Sequence, residues 1–390
     1  MIAIFLKLTL PIKESHPREV TMYDESCRYI EGVWLNKFFK EENVRSAINY
    51  KPRDGDVFLV TYPKCGTMWM QHIISNILTR GMPPTDIGEF SIMAPYIDMT
   101  GAKAAEIPSR TGPITTHLPP SVFKPVERAK YVYVTRNPYD CAVSYYHFAL
   151  GMTPKCATDV SFERFFGHLQ LWKGVWSCCW LLSQSGGRFQ FYPGHTTRNA
   201  SVAYAIGLTA ANYLPYASGS GIEVYVQRVI YGNYFDHLLP WYERRRDSNV
   251  LFVTYEELKA DTAAQVIRVA DFLGEEHGKS LREDRQLLER VLDACSRESM
   301  RIFFKESLQE RLEKMLQRAS KLSGDSKEPV ESPLRVAGET HEGSGFVRKG
   351  IVGDWKNYFT PDHTTRTKKW IAENTRGSDV MNLWSSIDLP

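Results

Sequence analysis

The chain has 390 residues, 43% of them hydrophobic and 24% charged, with a formal net charge of +3. That length allows one large core or two modest ones, and the near balance of charge excludes the broad basic face of general nucleic-acid binding, so any anion site has to be local. Seven cysteines, scattered apart from Cys178 and Cys179, have neither metal-ligand spacing nor the density of a disulfide framework; this predicts a reducing, cytoplasmic setting and no bound metal.

Met1 to Leu10 is apolar, but Lys7 interrupts it, no basic segment precedes it and no small-residue cleavage site follows, so it does not read as a signal peptide. No run approaches the ~18 apolar residues of a spanning helix, which predicts no membrane partner. Asp54-Gly55-Asp56 is a turn signal, and Val57 to Tyr62 after it is a β-branched and aromatic run that reads as a buried strand. Pro63 to Thr67 makes a tight loop, and Met68 to Leu78 carries apolar residues at helical spacing. A second unit begins with the strand-like Lys130 to Thr135, turns at Arg136-Asn137-Pro138 and continues helically from Asp140 to Phe148. The third run, Val250 to Tyr255, leads into a helical pattern through Phe272. Strands and helices alternating in this way predict an α/β fold: a parallel central sheet flanked by helices, with ligands at the carboxyl ends of the strands.

Two stretches break the order. Residues 171–227 mix Trp, Cys, Gly, Ser and Tyr without sustained period and read as a poorly ordered insertion; the Asn199-Ala200-Ser201 triplet inside it has no secretory context to make it a glycosylation site. Glu306 to Glu342 starts as a charged amphipathic helix and ends rich in Gly, Ser, Pro and Glu, like a lid or linker. The organisation expected is a domain over 54–386 interrupted by the 171–227 insertion, with residues 1–53 as an N-terminal extension packing on it.

The loop after the first strand has chemical content. A Gly-containing turn that opens a helix aims unpaired backbone N–H groups and the positive end of the helix dipole at an anion, while Lys64 adds a charge and Thr67 a hydroxyl. Gly274 to Ser280 ends like a nucleotide-triphosphate loop, but it is one residue short, carries two acids and follows a helix, so we reject it.

Thr61-Tyr62-Pro63-Lys64-Cys65-Gly66-Thr67-Met68-Trp69 resembles the 5′-phosphosulfate loop of cytosolic sulfotransferases, usually Tyr-Pro-Lys-Ser-Gly-Thr-Thr-Trp. Arg136 to Asp140 with Val143-Ser144 is similar to that family's 3′-phosphate segment, and Arg348 to Asn357 to its C-terminal signature. The resemblance implies the P-loop-like sulfotransferase fold and a co-substrate, 3′-phosphoadenosine 5′-phosphosulfate, with no metal. By family position, Lys64, Cys65, Gly66, Thr67 and Met68 would hold the 5′ end, Arg136, Ser144, Arg348, Lys349 and Gly350 the 3′-phosphate, and Trp69 and Tyr255 would flank the adenine. Thr115-Thr116-His117-Leu118-Pro119 looks like the family's Lys-Thr-His-Leu-Pro, which makes His117 the base that takes the acceptor's proton and Lys64 the cation that steadies the leaving oxygen. The acceptor implied is a small phenol, steroid or amine.

The chain departs from the pattern at Thr115, where the family has lysine, at Cys65 and Met68 for Ser and Thr, and at Arg297 for an aromatic residue. The family's dimer motif is only partly present, at Lys356, Thr360 and Pro361, with Thr365 in place of the glutamate; a homodimer is left open. Two other functions stay open at this stage: a phosphate-loop kinase, which lacks the full loop spacing, and a catalytically impaired nucleotide-binding homologue, motivated by Thr115 and the insertion.

Overall fold

The computed structural model describes residues 27–151, 161–163, 165–166, 230–305, 310, 314 and 347–390. Residues 171–227 with their Asn199 triplet lie outside the described residues, as do Met1 to Leu10 and, apart from Glu310 and Lys314, the stretch Glu306 to Glu342. In chain order the strands are β1 (Cys27–Ile30), β2 (Val33–Asn36), β3 (Val57–Thr61), β4 (Ile114–Thr116), β5 (Lys130–Thr135) and β6 (Val250–Thr254). The helices are α1 (Glu41–Ile48), α2 (Thr67–Leu78), α3 (Ile87–Met93), α4 (Ile97–Thr100), α5 (Pro138–Leu150), α6 (Tyr234–Glu243), α7 (Tyr255–Ala260), α8 (Thr262–Leu273), α9 (Glu275–Glu283), α10 (Arg285–Ala294), α11 (Arg297–Phe303) and α12 (Pro361–Asn374).

Strands β3 to β6 form one parallel sheet in the order β4-β3-β5-β6, and β1 and β2 form a separate antiparallel hairpin. Because side chains alternate along a strand, each strand feeds both faces. In β5, Tyr131 and Tyr133 join the cluster that also holds Phe58, Val60, Phe235, Leu238 and Trp241. Val132 and Val134 join the opposite cluster, with Leu59, Met70, Ile73, Ile74 and Ile77. The α2 residues of that group recur at i, i+3, i+4 and i+7, one face of a helix. The indole of Trp241 stacks on Tyr133 at 5.3 Å and 18°. Hairpin residues Ile30, Val33 and Leu35 and the α1 residues Val44 and Ala47 belong to the first cluster as well.

Three of these strands match the apolar runs of the sequence within one residue. The fourth, β4, does not announce itself: it has three residues and is bounded by Pro113 and Pro119. It forms because it has a partner, pairing with Phe58, Leu59 and Val60 of β3 and bridging to Tyr96 on its other side. The helical run expected through Phe272 is two helices, since Asp261 ends α7 and caps α8 through Ala264 N at 2.9 Å. Gly274 to Ser280, rejected above as a phosphate loop, is the start of α9 and follows α8 directly.

Candidate active site

The strand order decides where the site lies. The connection leaving β3 leads to β4 on one side and that leaving β5 leads to β6 on the other, so the loops after β3 and β5 diverge and open a crevice at their carboxyl ends. Register places the functional residues there together. Val60 pairs with Thr116, so Thr61 stands beside His117; Thr135 pairs with Thr254, so Arg136 stands beside Tyr255. A cavity of about 630 Å³ occupies this edge, lined among others by Lys64, Gly66, Thr67, Met68, Trp69, Thr115, His117, Arg136, Ser144, Tyr255, Arg348 and Gly350. Lys64, Arg136, Lys259, Arg297 and Arg348 contribute positive charge, and no described lining residue is an Asp or Glu. Such a wall suits a polyanion.

Gly66 is the N-cap of α2, at φ +107° and with no side-chain cap. A Cβ at this position would stand 3.0 Å from Tyr255 Cδ2, so both the backbone angle and the close approach of the Tyr255 ring require glycine. The first N–H groups of α2 have no helical partner and point with the positive end of the dipole toward the cavity, while the Thr67 hydroxyl is fixed by Thr61 Oγ1 at 2.7 Å. Lys64 takes φ +72°, and its Nζ lies 4.6 Å from the centre of the Phe148 ring, across the mouth of the same loop.

A second cationic cluster is built around Arg136, 5% exposed, with its guanidinium 4.4 Å over the Tyr255 ring and Nη2 donating to Ile351 O at 3.1 Å. Its Nε is buried without a hydrogen-bond partner among the described residues, a donor held in readiness for an acceptor atom. Buried Asp140 ties this segment to the C-terminal one: it accepts from Gly353 N at 2.8 Å, Trp355 N at 3.0 Å and Asn137 Nδ2 at 3.0 Å. On the far side Asp354 accepts from Arg348 and, at 3.1 Å, from Lys349 Nζ. Burial works to raise the Asp354 carboxyl, but hydrogen bonds from Arg348, Asn357 and Lys349 outweigh it and hold the group below its ordinary range. The arginines are therefore oriented before any ligand arrives.

His117 stands after β4, beside the end of β3. Its Nδ1 lies 2.7 Å from the Thr61 carbonyl, which can only accept, so Nδ1 carries the proton and Nε2 the lone pair. Burial pushes the ring's pKa down to about 4, with the Thr61 bond opposing and Lys64 assisting, so His117 is neutral at physiological pH and able to take a proton. Thr115, two residues earlier on the same strand face, also lines the cavity, and its buried hydroxyl has no partner among the described residues.

Not every residue expected at the site reaches it with its side chain. Cys65 is fully buried with Sγ 3.8 Å from Cys141 Sγ, so replacing serine here removes no hydroxyl from the cavity wall. Lys349 points to Asp354 and the Tyr358 ring rather than into the cavity. Trp69 and Tyr255 meet edge to face at 5.5 Å and 65°, forming one wall instead of two parallel plates around a base. Met68 packs against the cluster of Ile87, Phe90, Ala94, Met300 and Phe304 as well as lining the cavity. Arg297 is exposed and donates to Lys349 O at 3.2 Å. The segment of the partial dimer motif is helical: Thr360 caps α12 and Pro361 takes the first position, where a missing N–H costs nothing. Sequence reasoning did not assign Asp98, Asp140, Glu256 or Asp354, all buried carboxyls that hold backbone or side-chain donors around the site. The signal for Asp140 was its place in the Arg136 motif; Asp98 had none, because its partners are distant in sequence.

A parallel α/β sheet whose carboxyl edge joins two anion sites to a neutral histidine defines a nucleotide-dependent group transferase. The sequence pattern of the sulfotransferase domain matches residues 54–379, and the chain belongs to the sulfotransferase domain family. It is 25% identical over 347 residues to an amine sulfotransferase of Oryctolagus cuniculus, covering 87% of each chain. It is 30% identical over 314 residues to sulfotransferase 2B1 of Rattus norvegicus, covering 79% of this chain and 67% of that one. Among solved structures, the mouse sulfotransferase SULT7A1 complexed with PAP superposes with a TM-score of 0.57 at 23% identity, over 92% of this chain and 99% of the other, which establishes the shared fold.

Proposed function

We propose that this sulfotransferase takes its sulfuryl group from 3′-phosphoadenosine 5′-phosphosulfate and delivers it to a hydroxyl or amine of a small acceptor, in the cytoplasm and without a metal. The carrying observation is that one cavity contains two separate cationic sites, Lys64 with the start of α2 after β3 and Arg136 with Arg348 after β5, and His117 after β4 beside the first. A donor with phosphate at both ends of its ribose needs such a pair. When bound, that donor supplies the electrophilic sulfur and a phosphate leaving group.

The chain's own residues do the rest. The uncapped start of α2 and Lys64 hold the 5′ end, and Lys64 steadies charge that develops on the leaving oxygen. Arg136 with its unpaired Nε, Arg348 beside Asp354, and Ser144 hold the 3′-phosphate. His117 Nε2 accepts the acceptor's proton while the Nδ1 bond to Thr61 keeps the ring in the required tautomer. Phe38, Phe39, Met99 and Ile230 line the remaining part of the cavity and give it an apolar wall for the body of the acceptor.

Calorimetry with adenosine 3′,5′-bisphosphate and adenosine 5′-monophosphate tests the donor reading. The bisphosphate binds at least about tenfold more tightly, as one charged hydrogen-bonded pair would provide. Equal affinities would overturn the assignment of Arg136 and Arg348.

A further inference from the structure

Tyr231 holds a backbone angle that bulky residues avoid, φ +69°. Two contacts enforce it: Tyr231 N donates to Trp34 O at 3.0 Å, and the Tyr62 hydroxyl donates to Gly232 O at 2.9 Å. The result is that the Tyr231 phenol reaches the wall of the cavity, where its hydroxyl bonds the hydroxyl of Tyr96. Tyr96 arrives from the other direction, bridged to Thr115 of β4. The two rings stand 5.4 Å and 5.1 Å from the His117 imidazole, both edge-on.

Asp98 lies beneath this pair, fully buried. It accepts from Thr116 Oγ1 at 2.6 Å and from the His117 backbone N at 2.9 Å. One carboxylate thus fixes the end of the strand that carries the base. Burial pushes Asp98 up to about 6, against the pull of its hydrogen bonds, so at neutral pH it is ionised and can only accept. Burial also raises both phenols well above their ordinary value, so both keep their protons.

We propose that the Tyr96–Tyr231 phenol pair anchors the reacting atom of the acceptor beside His117 and selects a hydroxyl over an amine. The inference rests on the transfer reading above, with His117 as base. The pair has two protons: one lies in the phenol–phenol bond, and the other is donated to the acceptor oxygen. An acceptor hydroxyl is then held from two sides, its proton directed to His117 Nε2 and one oxygen lone pair taking the phenol proton. Its second lone pair is left for attack. An amine nitrogen has a single lone pair, which attack requires, so it cannot be held in this way. Tyr96 and Tyr231 touch the substrate in this scheme, and Asp98 is a positioning residue for His117.

The test uses 4-propylphenol and 4-propylaniline, which match in shape, with the wild-type chain and the Tyr96→Phe, Tyr231→Phe and Asp98→Asn variants. In the bisphosphate-saturated protein, 4-propylphenol binds each Phe variant about tenfold more weakly than wild type, the loss of one hydrogen bond, while bisphosphate affinity is unchanged. In turnover the variants lose kcat/KM for the phenol and keep it for the aniline, so the preference between the two collapses. Equal phenol affinity in wild type and both Phe variants, or an equal loss on both acceptors, would overturn the anchor. If Asp98→Asn does not fold, the Phe variants still decide. Failure of the bisphosphate to bind wild type would overturn the donor reading instead, and phenol titrations of the ligand-free proteins would still decide the anchor.

Discussion

Asp140→Asn is the substitution that separates a prepared anion site from a set of loosely neighbouring arginines. The carboxylate is fully buried and accepts two backbone N–H groups of the C-terminal segment, at 2.8 Å and 3.0 Å, beside Arg136 at 3.8 Å. An amide has the same shape but offers one accepting oxygen, and its NH₂ must face a donor. The change loses one charged hydrogen bond, worth about 1.5–3 kcal/mol, and leaves a buried N–H unpaired at a further ~1–3 kcal/mol. We expect a loss of about 3–5 kcal/mol, which in a chain this size lowers Tm by roughly 10 °C. The bisphosphate suffers too, because Gly353 and Trp355 hold the Arg348 segment in place. Differential scanning fluorimetry with and without bisphosphate, with calorimetric titration, reads both effects. A Tm within about 2 °C of wild type and unchanged bisphosphate affinity would refute the reasoning, the former bounding the loss near 1 kcal/mol.

Gly66→Ala strains a φ of +107° and drives a Cβ to 3.0 Å from the Tyr255 ring; it should cost about 1–3 kcal/mol and weaken bisphosphate binding at least several-fold, and unaltered binding by calorimetry would contradict the close-approach argument. The pH dependence of stability follows from three buried histidines, His72 and His117 held down to about 4 and His237 to about 3, each chiefly by burial. Below the unfolded value of 6.5 the unfolded chain binds protons that the fold refuses, so stability falls as pH drops toward 4. Asp98 and Glu256, raised by burial, act in the opposite sense over the acid window. The histidines outweigh the carboxyls, which predicts a loss of about 1–3 kcal/mol per pH unit between about pH 6 and 5, and a Tm independent of pH there would refute it.

The strands β3, β5 and β6 were legible because each is a run of β-branched and aromatic residues buried on both faces, and the loops after two of them carry Lys64 and Arg136. The edge strand β4 was not, since a strand of three residues has no period; only its register against β3 puts His117 beside Thr61. The anion half of the site was readable because charge and glycine are local signals. The acceptor half was not: Tyr96, at the start of α4, and Tyr231, before α6, are far apart in sequence and acquire meaning only when the fold brings their hydroxyls together. The Cys65 substitution shows the opposite error, a residue inside a motif whose side chain points into the core.

The most direct test of the account is sulfuryl transfer itself. Wild-type protein and His117→Ala, each first shown to bind the bisphosphate, are incubated with radiolabelled 3′-phosphoadenosine 5′-phosphosulfate and a panel of phenols, steroids, alcohols and amines. The account predicts acceptor-linked label from the wild type, and a loss of at least about 10² in rate from the variant at undiminished bisphosphate affinity. Label transferred equally by both proteins, or by neither while both bind the bisphosphate, would contradict it.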